Sequence, residues 1–264
     1  MNHIACIISA IPFLLVSCMT VPISERNAFN IIPESLELSL GAQSYEQMLS
    51  KEKISHDTRL NTIVSRVGSR IAAVSDRSDF KWEYKVIDSN VQNAFCLPGG
   101  KIAVYRGILP VTKNEAGLAT VLGHEIAHAI ARHGGQRIST SLAMTGGLAV
   151  LQSTALKENS NAPYIMAALG IGSQVGVMLP YGRMQESEAD RIGQILMARA
   201  GYDPEESARF WKRFADATKG HSVPTLLSDH PSSESREEDM RNQLPKAKEE
   251  YVKASNKYGL GESF

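Results

Sequence analysis

Residues 124–128 read His-Glu-Ile-Ala-His, and that spacing is the strongest single constraint on the fold. On a helix turning about 100° per residue, His128 sits ~40° round from His124, so both imidazoles converge on one point. Glu125, ~60° from His128, flanks that point without entering it. This is how a helix presents a catalytic zinc ion, with the glutamate set to take a proton from an attacking water. The surrounding residues support a helix. Thr112 and Glu115 have the spacing of a capping box, and Leu118, Val121, Leu122, Ile126, Ala129 and Ile130 follow at helical intervals. Gly134-Gly135 then weakens or ends the helix. A core helix burying His124, Glu125 and His128 without a metal would leave a charge and several donors unpaired.

Two ligands leave a catalytic zinc site incomplete, because a hydrolase needs a third protein ligand and one open position. A metzincin would carry glycine at 131 and histidine at 134; this chain has Ala131 and Gly134, which excludes that class. His133 lies about 180° round the helix from His124 and reads as a surface or packing residue. The segment Gln185 to Gly193 is itself helix-like and is ended by Gly201. Glu186 and Asp190 share one face of it, so one can bind zinc while the other holds a ligand imidazole. Glu188 points about 200° away from Glu186 and is expected in solvent.

Four motifs occur in a telling order: Asn93 to Ile102, His124 to His133, the Glu186/Asp190 pair, and Ser228-Asp229-His230-Pro231. Together, over residues 40 to 245 or so, they resemble the gluzincin family of zinc metallopeptidases that includes HtpX, the Ste-type CAAX prenyl proteases and the bacterial periplasmic proteases BepA and LoiP. The resemblance implies one zinc ion, with His124, His128 and Glu186 as ligands and Asp190 orienting a ligand histidine. It also implies that His230, followed by Arg236, is brought to the metal, either as a resting-state fourth ligand that inhibits the enzyme or as a catalytic group holding the developing oxyanion. Arg236 and His221 are lesser candidates for that position. The strand 101–105 resembles the family's edge strand, which pairs with an extended substrate backbone.

The first residues suggest where such a protein works. Ile4 to Val16 is a short apolar run, and Leu15-Val16-Ser17-Cys18 reads as a lipoprotein signal, with 1–17 removed and Cys18 lipidated. Residues 18–32 then read as the lipidated N-terminus and tether, and 33–264 as one metallopeptidase domain. Met19 after the cysteine resembles outer-membrane sorting, so the expected location is the periplasmic face of a bacterial outer membrane. With 28 basic and 28 acidic side chains and no basic block, nucleic acid is not an expected partner. Cys96 is left as a lone, buried, inert thiol.

Helix-like patterns run over about 34–49 and 57–74. Trp82, Tyr84 and Val86 alternate with Glu83, Lys85 and Ile87, a strand signal with one apolar exception. Residues 141–180, rich in Ala, Gly, Leu and Met, read as two helices over the active site, with a transmembrane hairpin as the alternative. The expected fold is therefore α+β, mainly helical and zincin-like, with a small sheet. The expected function is a membrane-anchored zinc metalloendopeptidase acting on misfolded or misassembled envelope polypeptides. The alternative is a periplasmic chaperone or assembly factor with a silent or self-inhibited zinc site, against which Glu125 argues, since a silent site needs no base.

Overall fold

The computed structural model describes residues 18–145, 182–218, 226 and 236–264. The expected signal segment, most of the 141–180 pair, His221 and the Ser228 to Pro231 motif with His230 lie outside the described residues. Two short strands come first, β1 (Cys18–Thr20) and β2 (Asn27–Phe29), paired antiparallel with Cys18 opposite Phe29. Residues 19–32 are thus not a free tether. Val21, Ala28 and Ile32 are buried, and burying three apolar side chains holds the hairpin against the domain.

Helices α1 (Glu34–Leu49) and α2 (Thr58–Ala72) fall on the two predicted patterns. Asp57 caps α2, accepting from the Leu60 amide at 3.0 Å. Its apolar stripe of Ile63, Val64, Val67 and Ile71 is buried in the main core.

Strands β3 (Glu83–Ile87), β4 (Ala94–Leu97) and β5 (Lys101–Tyr105) form one sheet in the order β3-β5-β4, with β5 parallel to β3 and antiparallel to β4. This corrects the edge-strand expectation: β5 is central and wholly buried, and β3 and β4 are the two edges. Local pattern could not tell them apart, since a strand reads as apolar whether its backbone is paired on one side or two. Ile87, the exception to alternation, packs with Tyr45, Phe95 and Tyr105 in a second apolar cluster on the other face of the sheet.

After the short helix α3 (Leu109–Thr112) comes α4 (Glu115–Ile130), every residue of which is buried. Its cap is Asn114, which accepts from the Gly117 amide at 2.8 Å, and not the expected Thr112, which closes α3 by bonding to the Leu109 carbonyl. Glu115 is freed from capping duty and buried against Arg66, Arg70 and Tyr202. Among the described residues the remaining helices are α5 (His133–Thr145), α6 (Gly182–Arg199), α7 (Glu205–Thr218) and α8 (Arg236–Lys253).

The α4/α6 crossing sets the position of everything that follows. A Cβ on Gly193 would lie 2.7 Å from the Gly123 carbonyl carbon, and one on Gly123 would lie 2.7 Å from the Gly193 carbonyl oxygen. Only two glycines let the backbones approach this closely, and the approach lays the Glu186/Asp190 face of α6 along the histidine face of α4. The architecture is the expected α+β, mainly helical one. Among the described residues no helix is long and apolar enough to cross a membrane.

Candidate metal centre and active site

Helix α4 contributes His124 and His128, and α6 contributes Glu186, all buried. The two histidine Nε2 atoms are 3.1 Å apart, and Glu186 brings one carboxylate oxygen to 3.2 Å from His124 Nε2 and the other to 3.3 Å from His128 Nε2. One donor atom from each of the three residues falls within 4.8 Å of the other two. A tetrahedral zinc with bonds of ~2.0–2.1 Å needs donors ~3.3 Å apart. Two neutral imidazoles and a carboxylate at nearly that spacing suit zinc in chemistry and in size.

Behind His124 stands a carboxylate. Asp190 Oδ1 lies 2.9 Å from His124 Nδ1, and Arg236, the first residue of α8, donates to Asp190 through Nε at 2.5 Å and Nη2 at 2.7 Å. The guanidinium lies 3.4 Å from the centre of the Trp211 ring. Burial works against the Asp190 anion, yet Arg236 and His124 outweigh it and hold the acid below the ordinary range. Burial and Arg236 likewise oppose a charge on His124, but the Asp190 and Glu186 carboxylates prevail and raise it to about 9 in the metal-free protein. Arg236 Nη2 also sits 3.0 Å from His124 Nδ1. With the Nδ1 proton given to Asp190, the guanidinium acts on the ring through the carboxylate it holds.

Behind His128 stands another histidine. Helix α4 stops at Ile130, and Arg132 adopts a left-handed backbone (φ 56°), so the next residue leaves the helix's register. His133 therefore swings back, its Nδ1 2.8 Å from His128 Nδ1 and its Nε2 3.0 Å from Glu188 Oε2. Glu188 in turn accepts from Arg26 Nη2 at 2.5 Å and Ser24 Oγ at 2.6 Å. His133 packs, as one of its two expected roles had it, but it packs on His128 of the candidate metal triad. The solvated Glu188 of the sequence reading is instead buried, because α5 and the β1/β2 hairpin cover the side of α6 that a helical wheel assigns to water. Burial holds His128 well below the ordinary histidine range and His133 down to about 4, so both are neutral. Glu188, against the penalty of burial, is pulled low by His133, Arg26 and Ser24.

Glu125 is buried beside His128 and lines a partly open cavity with Phe95, Cys96, Pro98 and Arg137. Arg137 Nε donates to Gln185 Oε1 at 2.8 Å, and its Nη2 is 3.8 Å from Glu186. Cys96 is free and buried, and burial pushes its thiol well up, in keeping with an inert group. Arg26, Ser24, Glu188 and the pairing role of Arg236 escaped the sequence reading. Gly134-Gly135 signalled the helix break beside His133 but not its direction, and nothing local singles out Arg26.

The model of peptidase family M48 matches residues 58–244. The mitochondrial metalloendopeptidase OMA1 of Schizosaccharomyces pombe is 38% identical over 232 residues, covering 86% of this chain and 66% of its own length. OMA1 of Saccharomyces cerevisiae is 34% identical over 249 residues, covering 87% and 70%. The beta-barrel assembly-enhancing protease of Escherichia coli is 25% identical, covering 99% of this chain and 56% of its own. The expected location at the periplasmic face of a bacterial outer membrane is overturned by these matches, since the more similar relatives are mitochondrial proteins. The motifs behind that expectation are weak ones: a short apolar run and a cysteine carry little information beside hundreds of aligned residues. Matched across most of its length, and with two histidines and a glutamate converging from two helices, the chain belongs to peptidase family M48, the zinc metallopeptidases.

Proposed function

We propose that this metalloendopeptidase cleaves misfolded or misassembled membrane-associated polypeptides, taking them as extended strands alongside β4. The observation that carries the reading is Glu125, a buried carboxylate on the same helix turn as the two histidines, at the wall of a cavity roofed by β4 residues Phe95 and Cys96. When bound, zinc supplies Lewis acidity, polarising the scissile carbonyl and making water a nucleophile near neutral pH. His124, His128 and Glu186 hold the ion. Glu125 takes the proton of the attacking water and passes it to the leaving amine. Asp190 keeps His124 in the tautomer that offers Nε2 to the metal. Backbone pairing along an edge strand reads shape more than side chains, which suits unfolded substrates. The beta-barrel assembly-enhancing name of one relative supports the same substrate class.

The test is Glu125→Gln in the full chain, assayed on an unfolded protein such as casein. Zinc content should stay at the wild-type level while cleavage falls by about 10²–10⁴-fold. Normal turnover by a zinc-loaded variant would falsify the mechanism, and intact substrate from the wild-type protein under every condition would favour the chaperone reading.

Two further parts of the proposal concern the ends of the described segments. His230 serves as a resting-state fourth ligand or as an oxyanion donor. In support, Arg236, six residues further on, touches His124. His230→Ala should raise basal cleavage in the first role and lower it in the second, and unchanged kinetics would remove both. Cys18, which opens β1, serves as a lipid attachment point, without the outer-membrane placement. Cys18→Ala should then release the protein from the membrane fraction.

A further inference from the structure

The β1/β2 hairpin lies at the far end of an unbroken line of hydrogen bonds that finishes on a zinc ligand. For His128 to offer an Nε2 lone pair to the metal, its proton must sit on Nδ1. That proton points at His133 Nδ1, 2.8 Å away, which must therefore be the accepting nitrogen. His133 then carries its own proton on Nε2 and gives it to Glu188 Oε2 at 3.0 Å. Glu188 is fixed by Ser24 Oγ and by three contacts from Arg26, through Nε at 2.9 and 3.1 Å and Nη2 at 2.5 Å, while Arg26 Nη2 also reaches Gln136 Oε1 at 3.0 Å. Only one set of tautomers satisfies the line, and it is the set that turns His128 toward zinc.

The hairpin turn bears the mark of a segment held in place. Ile23 has φ 68° and Glu25 φ 57°, and a β-branched residue in the left-handed region persists only where its surroundings over-determine it. What those two residues flank is Ser24, and Arg26 follows; these are the groups that clamp Glu188. His133 and Glu188 are buried, and Arg26 is about a quarter exposed, at 26%. The line therefore runs from the metal centre to the edge of the domain.

We propose that Ser24, Arg26, Glu188 and His133 are positioning residues for the metal centre, acting through His128, and that the hairpin is a working part of the zinc site. The inference rests on His124, His128 and Glu186 being the ligands. Loss of zinc from His128→Ala, with wild-type protein binding one equivalent, checks that reading separately.

The experiment measures zinc affinity of the full chain by competition with a chromophoric chelator, alongside the visible spectrum of the cobalt(II)-substituted protein and far-UV circular dichroism. His133→Ala should weaken zinc binding about 10–100-fold and shift the cobalt bands. His133→Gln, whose amide can accept from His128 and donate to Glu188, should recover most of the affinity. Arg26→Ala, at the outer end, should retain the fold and lose affinity by a smaller factor in the same direction, and it decides the matter if His133→Ala does not fold. Zinc affinity and cobalt spectra unchanged in folded His133→Ala, or in Arg26→Ala where His133→Ala fails to fold, would overturn the proposal. A His133→Gln protein no better than His133→Ala would do the same.

Discussion

The two histidines of the candidate metal triad sit one helical turn apart on α4, yet they are backed by opposite kinds of chemistry. His124 has an anion directly against it: Asp190, itself clamped by Arg236, with the pair sealed between α6 and α8. His128 has a neutral imidazole against it, and the anion, Glu188, is one residue further back, clamped by an arginine at the domain edge. The difference teaches where each ligand draws its basicity. Asp190 and Glu186 together raise the proton affinity of His124 to about 9 despite burial and Arg236, whereas burial outweighs Glu186, a carboxylate in contact with His128, and holds that ring well below the ordinary range. Orientation can be passed along a line of hydrogen bonds; charge weakens with every group it must cross.

The largest way to break the comparison is to remove each anion. Asp190→Ala leaves the Arg236 guanidinium buried without its partner, and should cost about 3–5 kcal/mol of stability. Glu188→Ala strands only the His133 N–H, because Arg26 can turn to water, and should cost about 1–3 kcal/mol. Urea melts of the two metal-free variants read the contrast directly, and equal losses would show that the lines are equivalent after all.

Gly193→Ala should damage both lines together. A methyl group 2.7 Å from the Gly123 backbone forces α4 and α6 apart, costing about 1–3 kcal/mol and loosening Glu186, Glu188 and Asp190 at once. Zinc titration should then show weaker binding, and native affinity in this variant would mean that the crossing does not set the site.

Asp190→Asn sharpens the contrast by removing charge while keeping an acceptor. A tenfold loss of zinc affinity is expected, about 1.4 kcal/mol, read by chelator competition. The matched change on the other side, His133→Gln, should lose less than that, since the group it replaces carries no charge. The smallest effect should come from outside both lines. Arg241→Ala breaks an exposed pair with Glu237 at 2.8 Å, and should move stability by no more than about 0.5 kcal/mol with zinc affinity intact. A loss of zinc there would mean that metal binding follows general stability, and the specific reading of either line would fall.

What the sequence by itself determined is the part of the site written at helical spacing. His124, Glu125 and His128 lie within one and a half turns, and Glu186 with Asp190 within another, so backbone geometry alone aims each group. The helices α1 and α2 and the strand at 83–87 were legible for the same reason, since apolar period and backbone period coincide. Family resemblance, not spacing, chose between Glu186 and Asp190 as the ligand. What only the tertiary structure decided is every contact that depends on which element covers which. The direction His133 takes is set by one left-handed residue at Arg132. The burial of Glu188 is set by a hairpin over 150 residues away in sequence, and the edge position of β4 by a sheet order that no strand records in its own pattern. A helical wheel knows the angle between two side chains on one helix. It holds no information about the neighbour packed against them, and for His133, Glu188 and Arg26 the neighbour is the whole of the function.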